Sequence, residues 1–274
     1  MKELIKQPKI LFIDLDGTAL DVQNKRQWDV SQENLDAINE CRKRGMKVLA
    51  STGRAPYKEN LEIMNKFGDN KNFACWNGAK VFKDGKEIYS KSFSKDLAQE
   101  IYDFLVQNKM TIIINSDSQK MFSSCLIFKF VCLLRHTHAK KYSAFENNYE
   151  IFKFIVWNKS AKKLNKFKEI LIQKYKDVAI VVKAGTKGFN ILEITPINCS
   201  KGYAEMLLAK SYGIDPLECV HIGDSMNDST TIDYLGNVIA MRNSAEDFKK
   251  VATHVSQYDY KKAGLAKTLK ELYL

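Results

Sequence analysis

No Cys-x-x-Cys pair occurs in this chain, although it carries six cysteines at positions 41, 75, 125, 132, 199 and 219. That spacing argues against a zinc or thioredoxin-type site and predicts buried or free thiols without disulfides. There is no apolar run of membrane-spanning length either. The longest stretch, Cys125 to Leu134, contains Lys129 and falls well short of the ~20 residues a spanning helix needs. The start, Met1-Lys2-Glu3-Leu4, lacks the apolar segment and small-residue cleavage site of a secretory leader, and the hydrophobic run at 10–15 is broken by Asp14. The expectation is a soluble, cytoplasmic protein. Internal repeats, heptads and low-complexity tracts are absent too, which leaves an ordinary globular chain.

What is present is a chain of 274 residues, 45% hydrophobic and 11% aromatic, enough for one large domain or two ordinary ones. Its formal charge of +11, from 43 Lys+Arg against 32 Asp+Glu, favours an anionic partner. Charge alone does not choose among nucleic acid, a membrane surface and phosphorylated metabolites. The cations are spread as singles and pairs such as Lys140-Lys141 and Lys249-Lys250, the pattern of solvated helix faces.

The run from Lys9 to Asp14 reads as a buried strand that ends at a tight Asp-Gly turn. A helix pattern follows from an N-cap at Ser31 to Gly45, then a second buried run from Met46 to Thr52, completing a β-α-β unit. Pro56 suits the first turn of the next helix, which extends to about Phe67-Gly68, and Phe73 to Asn77 is a further strand. After Gly78 the texture changes: Lys83-Asp84-Gly85-Lys86 marks a hairpin, and mixed segments without metal or nucleotide motifs follow. Regular alternation returns at Ile191 to Ile194, with a helix from Ser200 to Tyr212 and a strand from Cys219 to Gly223. The predicted fold is α/β: a doubly wound parallel-sheet, Rossmann-like core (1–82 and 191–274) with an inserted α+β cap domain at 83–190.

Asp14 and Asp16 stand two residues apart at a strand end, so both project to the same side, about 6–7 Å apart along an extended chain. Two unit charges near 4 Å repel by roughly 4 kcal/mol at an effective dielectric of 20, so a close acidic pair calls for a cation or a shared proton, and Mg²⁺ is the natural solution. A second acidic cluster, from Gly223 through Asp224 and Asn227 to Asp228, also follows a buried strand and runs to the start of a helix. Mg²⁺ takes oxygen ligands and needs only one or two carboxylates plus substrate phosphate. In open α/β sheets ligands bind beyond the carboxyl ends of strands, where both clusters and the loop Thr52-Gly53-Arg54 fall. Thr52 and the backbone of Gly53 suit phosphate oxygens at a helix N-terminus, with Arg54 adding charge. Lys201 opens a helix, where a cation is unfavourable unless an anion lies beside it.

The set Asp14-Leu-Asp-Gly-Thr18, Ser51-Thr-Gly-Arg54, Asn77-Gly78, Ser200-Lys-Gly202, Gly223-Asp-Ser-Met-Asn-Asp228 and Ala240-Met-Arg-Asn243 resembles, in order and spacing, the haloacid-dehalogenase-like hydrolases, and among them the Cof-type phosphatases. The resemblance covers the whole core, and the insert matches that group's large cap in position and length. It implies that Asp14 is the nucleophile of an aspartyl-phosphate mechanism and that Asp16 protonates the leaving alcohol and then activates water. It also implies that the Asp14 carboxylate, the Asp16 backbone carbonyl and Asp224 hold Mg²⁺. Leu15, Thr52, Gly53, Lys201 and Asn227 would surround the phosphoryl group, with Arg54, Asn77 and Asp228 in support. Three features depart from the group's pattern: Arg242 in place of Gly, the segment Tyr258 to Gly264, and Cys199 before the Lys201 motif.

The implied substrate is a small phosphorylated metabolite, such as a sugar phosphate or phosphorylated cofactor, with no nucleic-acid or membrane partner. Specificity is expected in the cap, which would move as a lid on hinges near Lys80–Lys83 and Phe189–Glu193. The alternatives are a phosphomutase acting on a hexose phosphate and a non-catalytic polyanion-binding module. His136 and His138 lack partners at metal-ligand spacing and are read as surface residues. The insert's aromatics, Phe122, Phe128, Phe130, Phe145, Phe152, Phe154 and Trp157, are read as its own core.

Overall fold

The computed structural model describes residues 3–24, 27–67, 69–184 and 191–274. The first part of the chain forms β1 (Ile10–Ile13), β2 (Val22–Asn24), β3 (Gln27–Asp29), α1 (Gln32–Lys43), β4 (Lys47–Ser51), α2 (Lys58–Lys66), β5 (Phe73–Cys75), β6 (Lys80–Lys83) and β7 (Lys86–Ser90). The middle forms α3 (Lys95–Gln107), β8 (Thr111–Ile114), β9 (Met121–Phe122), α4 (Leu126–Leu134), β10 (Phe154–Trp157), α5 (Ala161–Tyr175), β11 (Ala179–Ala184) and β12 (Ile191–Pro196). The last part forms α6 (Lys201–Ser211), β13 (Cys219–Gly223), β14 (Asn237–Ala240), α7 (Glu246–Val251), β15 (His254–Val255) and α8 (Gly264–Tyr273). These elements divide into two units, Met1–Ser90 with Ser200–Leu274, and Lys91–Cys199.

The first unit is an eight-stranded sheet in the order β15-β14-β13-β1-β4-β5-β6-β7. It is parallel from β15 through β5 and antiparallel at β6 and β7. β1 sits inside it and buries all four of its residues, as a strand covered on both faces must. Alternate side chains go to opposite layers. Leu11 and Ile13 join Ile38 and Cys41 of α1 and Leu265 and Leu269 of α8, while Ile10 and Phe12 join Ala204 and Leu208 of α6. The core is therefore doubly wound. Ser31 caps α1, its hydroxyl accepting from the Asn34 amide, which fixes where the β1–β4 crossover begins. Pro56 lies ahead of α2, whose N-cap is Tyr57, so it ends the preceding loop and does not form the first helical turn.

The second unit is a five-stranded antiparallel sheet in the order β11-β12-β10-β8-β9. Phe154, Val156, Leu192 and Ile194 pack with Leu105 of α3 and Phe167 and Leu171 of α5. Phe128 and Cys132 of α4 pack with Met121 and Trp157. Phe122, Phe128, Phe152 and Phe154 are buried, but Phe130 is 61% exposed and does not belong to the insert's core.

The two ends of the insert differ from the boundaries expected at 83 and 190. The hairpin β6–β7 turns at Asp84 and Gly85, both with positive φ, as the local sequence predicts. Its strands extend the large sheet, so it belongs to the catalytic unit. β12, expected to be the core's return strand, instead pairs with β10 and β11 in the small sheet. The boundary at 190 and the first part of the second expected hinge lie outside the described residues.

Candidate active site

Parallel pairing of β1 with β4 and β13 brings the segments after Ile13, Ser51 and Gly223 to one edge of the sheet. Asp14 follows β1 with its amide bonded to the carbonyl of Ile222 at 2.9 Å. Its side chain is buried, and Oδ1 accepts from Lys201 Nζ at 2.6 Å. Lys201, the first residue of α6, is buried and also donates to Asp228 Oδ1 at 2.6 Å. The anions expected beside this helix-opening cation are therefore Asp14 and Asp228.

Asp228 has both oxygens engaged. Oδ1 meets Lys201 and His221 Nε2, the latter at 2.9 Å, while Oδ2 accepts from the amides of Asp224 at 3.0 Å and Ser225 at 2.8 Å. A short 3-10 turn, Asp228–Thr231, and not a full helix, follows this loop. Gly17 has φ +75, and a Cβ there would fall 2.2 Å from Asp224 Oδ2. Glycine thus lets the loop after β1 close onto Asp224. At Gly223 a Cβ would fall 2.3 Å from Cγ of Asp228. Asn243 ties the two loops together, its Nδ2 donating to the carbonyl of Gly17 at 2.9 Å and to Asp224 Oδ2 at 3.2 Å.

Carboxylate oxygens of Asp14, Asp224 and Asp228 all lie within 4.8 Å of one another. Burial, followed by the repulsion of Asp228 and Asp16, raises the Asp14 carboxyl to about 7 despite Lys201. Burial and the charges of Asp14 and Asp228 also hold the Asp224 carboxyl well above the usual carboxylate range. Burial works against the charge on Asp228 as well, yet Lys201 and His221 outweigh it and keep that group ionised. The cluster thus has more carboxyl groups than Lys201 could balance if all were ionised, and Asp14 and Asp224 resist ionisation until a cation joins them. A set of hard oxygen donors with surplus negative charge fits a divalent cation. Because Asp228 is already saturated, Asp14 and Asp224 are the carboxylates with capacity to hold one.

Asp16 is exposed, and Arg54 forks onto it, Nε to Oδ2 at 2.7 Å and Nη2 to Oδ1 at 2.6 Å. Arg54 therefore orients a carboxylate in this structure. Thr52 is buried, and its Oγ1 accepts from the Arg54 amide at 3.1 Å. Thr52, Gly53 and Arg54 precede α2 by several residues, so this loop is not at the helix N-terminus expected from the sequence. The Asn77 amide donates to the Thr52 carbonyl at 3.1 Å, and Asn227 Nδ2 donates to Asn77 Oδ1 at 3.1 Å. The Leu15 side chain is fully buried, which leaves only its backbone to face a ligand. Asp14, Lys201, Asp224 and Asp228 thus form one cluster, with Asp16–Arg54 and Asn77–Asn227 as pairs around it.

Reasoning from the sequence passed over Glu205 and His221. Both are fully buried, with His221 Nδ1 2.9 Å from Glu205 Oε1. Burial disfavours the imidazolium, but the Glu205 and Asp228 carboxylates outweigh it and hold the His221 pKa at about 9. The available signal was a polar residue inside the apolar strand from Cys219 to Gly223, with an acid one helical turn after Lys201.

A doubly wound parallel sheet with an acidic cluster beyond its strand ends defines an α/β enzyme. This chain belongs to the haloacid dehalogenase-like hydrolases, whose family model matches residues 11–269, and within them to the Cof-type phosphatases. It is similar to the 5-amino-6-(5-phospho-D-ribitylamino)uracil phosphatase YwtE of Bacillus subtilis, 26% identical over 282 residues, covering 91% of this chain and 93% of the relative. It is also similar to the HMP-PP phosphatase of Serratia proteamaculans, 23% identical over 253 residues, covering 89% and 87%. Among solved structures, a haloacid dehalogenase-like hydrolase from B. subtilis superposes with a TM-score of 0.77 at 23% identity, covering 96% of this chain and 99% of the other.

Proposed function

We propose that this chain is a Mg²⁺-dependent phosphatase that hydrolyses a small phosphorylated metabolite through an aspartyl-phosphate on Asp14. The observation that carries the reading is the cluster of buried Asp14 and Asp228, bridged by Lys201, with half-buried Asp224 beside them. Lys201 occupies one oxygen of Asp14, and the other is free to attack. In the first step that oxygen bonds to phosphorus, the bond from phosphorus to the ester oxygen breaks, and Asp16 gives its proton to the departing alkoxide. In the second, Asp16 takes a proton from water, the water oxygen bonds to phosphorus, and the Asp14 carboxylate is released. Asp16 must loosen the Arg54 fork to reach the leaving oxygen, so Arg54 acts as its latch.

Asp14 and Asp224, with the backbone carbonyl of Asp16, would hold Mg²⁺, which supplies charge neutralisation at the phosphoryl oxygens. Thr52, Gly53, Lys201 and Asn227 would place the remaining donors around the phosphoryl group. The relatives named above are phosphatases of small phosphorylated molecules, which supports the substrate class. Six free cysteines suit the reducing cytoplasm. Among the described residues no helix is long and apolar enough to cross a membrane.

The test is phosphate release from a panel of phosphorylated metabolites and an aryl phosphate, with Mg²⁺, with Ca²⁺ and with chelator. Turnover with Mg²⁺ and inhibition by Ca²⁺ are expected, because the larger and looser shell of calcium misplaces Asp14 for in-line attack. Equal rates with chelator would end the metal-dependent reading.

A further inference from the structure

Lys201 and Glu205 lie one turn apart on α6, so they share a face of the helix, and both are buried. Lys201 reaches the acidic cluster directly. Glu205 reaches it through His221: its Oε1 is 2.9 Å from Nδ1, an ion-pair contact, and among the described residues nothing else pairs with either carboxylate oxygen. The opposite ring nitrogen, Nε2, is 2.9 Å from Asp228 Oδ1. A buried carboxylate held by one imidazole is an unfavourable way to fill a core, and a buried ion pair can usually be replaced by apolar residues without loss of stability. Packing alone therefore gives no reason for Glu205 and His221. Their placement does, since the pair ends on the one carboxylate whose four contacts shape the loop after β13.

We propose that Glu205 and His221 are positioning residues of the phosphatase site. Glu205 holds the imidazole, and the imidazole holds Asp228 in the rotamer that presents Oδ1 to Lys201 and Oδ2 to the Asp224 and Ser225 amides. Asp228 in turn sets where the Asp224 carboxylate stands relative to Asp14. This arrangement rests on the function proposed above and adds to it a layer behind the residues that touch substrate or metal. Such outer partners typically govern about 10–100-fold in metal affinity or activity.

The experiment compares wild type, Glu205→Gln and the double variant Glu205→Leu/His221→Ala. The readouts are Mg²⁺ affinity by calorimetry without substrate, kcat and KM on an aryl phosphate, and melting temperature. The double variant is expected to stay folded and to bind Mg²⁺ about 10–100-fold more weakly, with kcat lowered by a similar factor and KM nearly unchanged. Glu205→Gln, which keeps the shape and loses the charge, is expected to show a smaller loss in the same two quantities. A folded double variant with wild-type Mg²⁺ affinity and kcat overturns the proposal. If the double variant does not fold, Glu205→Gln decides: wild-type values overturn the proposal, and a loss in both supports it. A wild-type protein that neither binds Mg²⁺ nor releases phosphate overturns the reading of the site, and this inference with it.

Discussion

The two units bury charge in opposite ways. In the catalytic unit β1, β13 and α6 bring together a chain of contacts, Asp14 to Lys201 to Asp228 to His221 to Glu205, with Asp224 beside it. The insert buries the ion pair Lys153–Glu193, at 2.7 Å, and otherwise relies on aromatic packing such as Tyr102 on Phe145, with ring centroids 3.8 Å apart. That pair sets one charge of each sign side by side. The neighbouring carboxylates of the catalytic unit cannot all ionise unless a cation or a shared proton joins them. The two units thus differ in how many acids each brings together beside a buried lysine.

The strongest way to break that contrast is Asp14→Asn, expected to lower turnover of an aryl phosphate by on the order of 10⁴–10⁶-fold. Retained turnover would make the cluster structural after all. Next come the two buried lysines. Lys201→Met should destabilise by about 3–5 kcal/mol, because Asp14 stays buried without its cation, and Lys153→Met should act in the same direction by removing the cation paired with Glu193. Added Mg²⁺ should recover much of the melting temperature lost in Lys201→Met and none of that lost in Lys153→Met. Equal recovery, or none in either, would erase the difference between the units. Phe154→Ala, in the insert's core, should cost about 3–5 kcal/mol through a cavity, with unchanged Mg²⁺ affinity in the folded fraction, checked by calorimetry.

The smallest effect is expected on the catalytic unit's surface, where Lys66 pairs with Asp29. Burial raises the Asp29 carboxyl, but the Lys66 hydrogen bond outweighs it and the net shift is downward from 3.8. A depressed folded pKa contributes stability above the unfolded value, and that stability disappears as pH falls through the folded one. Solvent screening keeps the effect below about 1 kcal/mol. Asp29→Asn should therefore lower the melting temperature slightly at pH 7 and leave it unchanged once the pH has fallen below the depressed folded-state value, where the wild-type carboxylate is itself protonated.

Local signals carried most of the fold. The apolar run that ends at Asp14, the Ser31 cap and the Asp84-Gly85 turn each depend on a few neighbouring residues, and each forms as read. β12 was assigned to the wrong sheet because a strand's own sequence does not name its partner: Ile191–Pro196 pairs with β10 and β11 through contacts distant in sequence. Pairings of this kind set the ends of the insert. The acidic clusters were legible because each follows an apolar strand, whereas Arg54 was aimed at substrate because nothing near it in sequence shows that Asp16 receives its fork. Glu205 and His221 were invisible for a similar reason, since an isolated His in a strand usually reads as a satisfied core residue.

The pairing of β1 with β13, which aligns Ile10 with Cys219 and Ile13 with Ile222, also has a kinetic consequence. The strand leading to Asp14 is made well before the strand leading to Asp224 and Asp228, which emerges only after the whole insert has followed. Joining them closes a very long loop, whose entropic penalty grows only logarithmically with length but whose formation is slow. Until that closure Asp14 has neither Lys201 nor the second acidic loop beside it, so a nascent or partly refolded chain carries Asp14 without the cluster around it. If the cluster binds Mg²⁺ as proposed, the appearance of metal affinity during refolding would time the moment at which β13 docks beside β1.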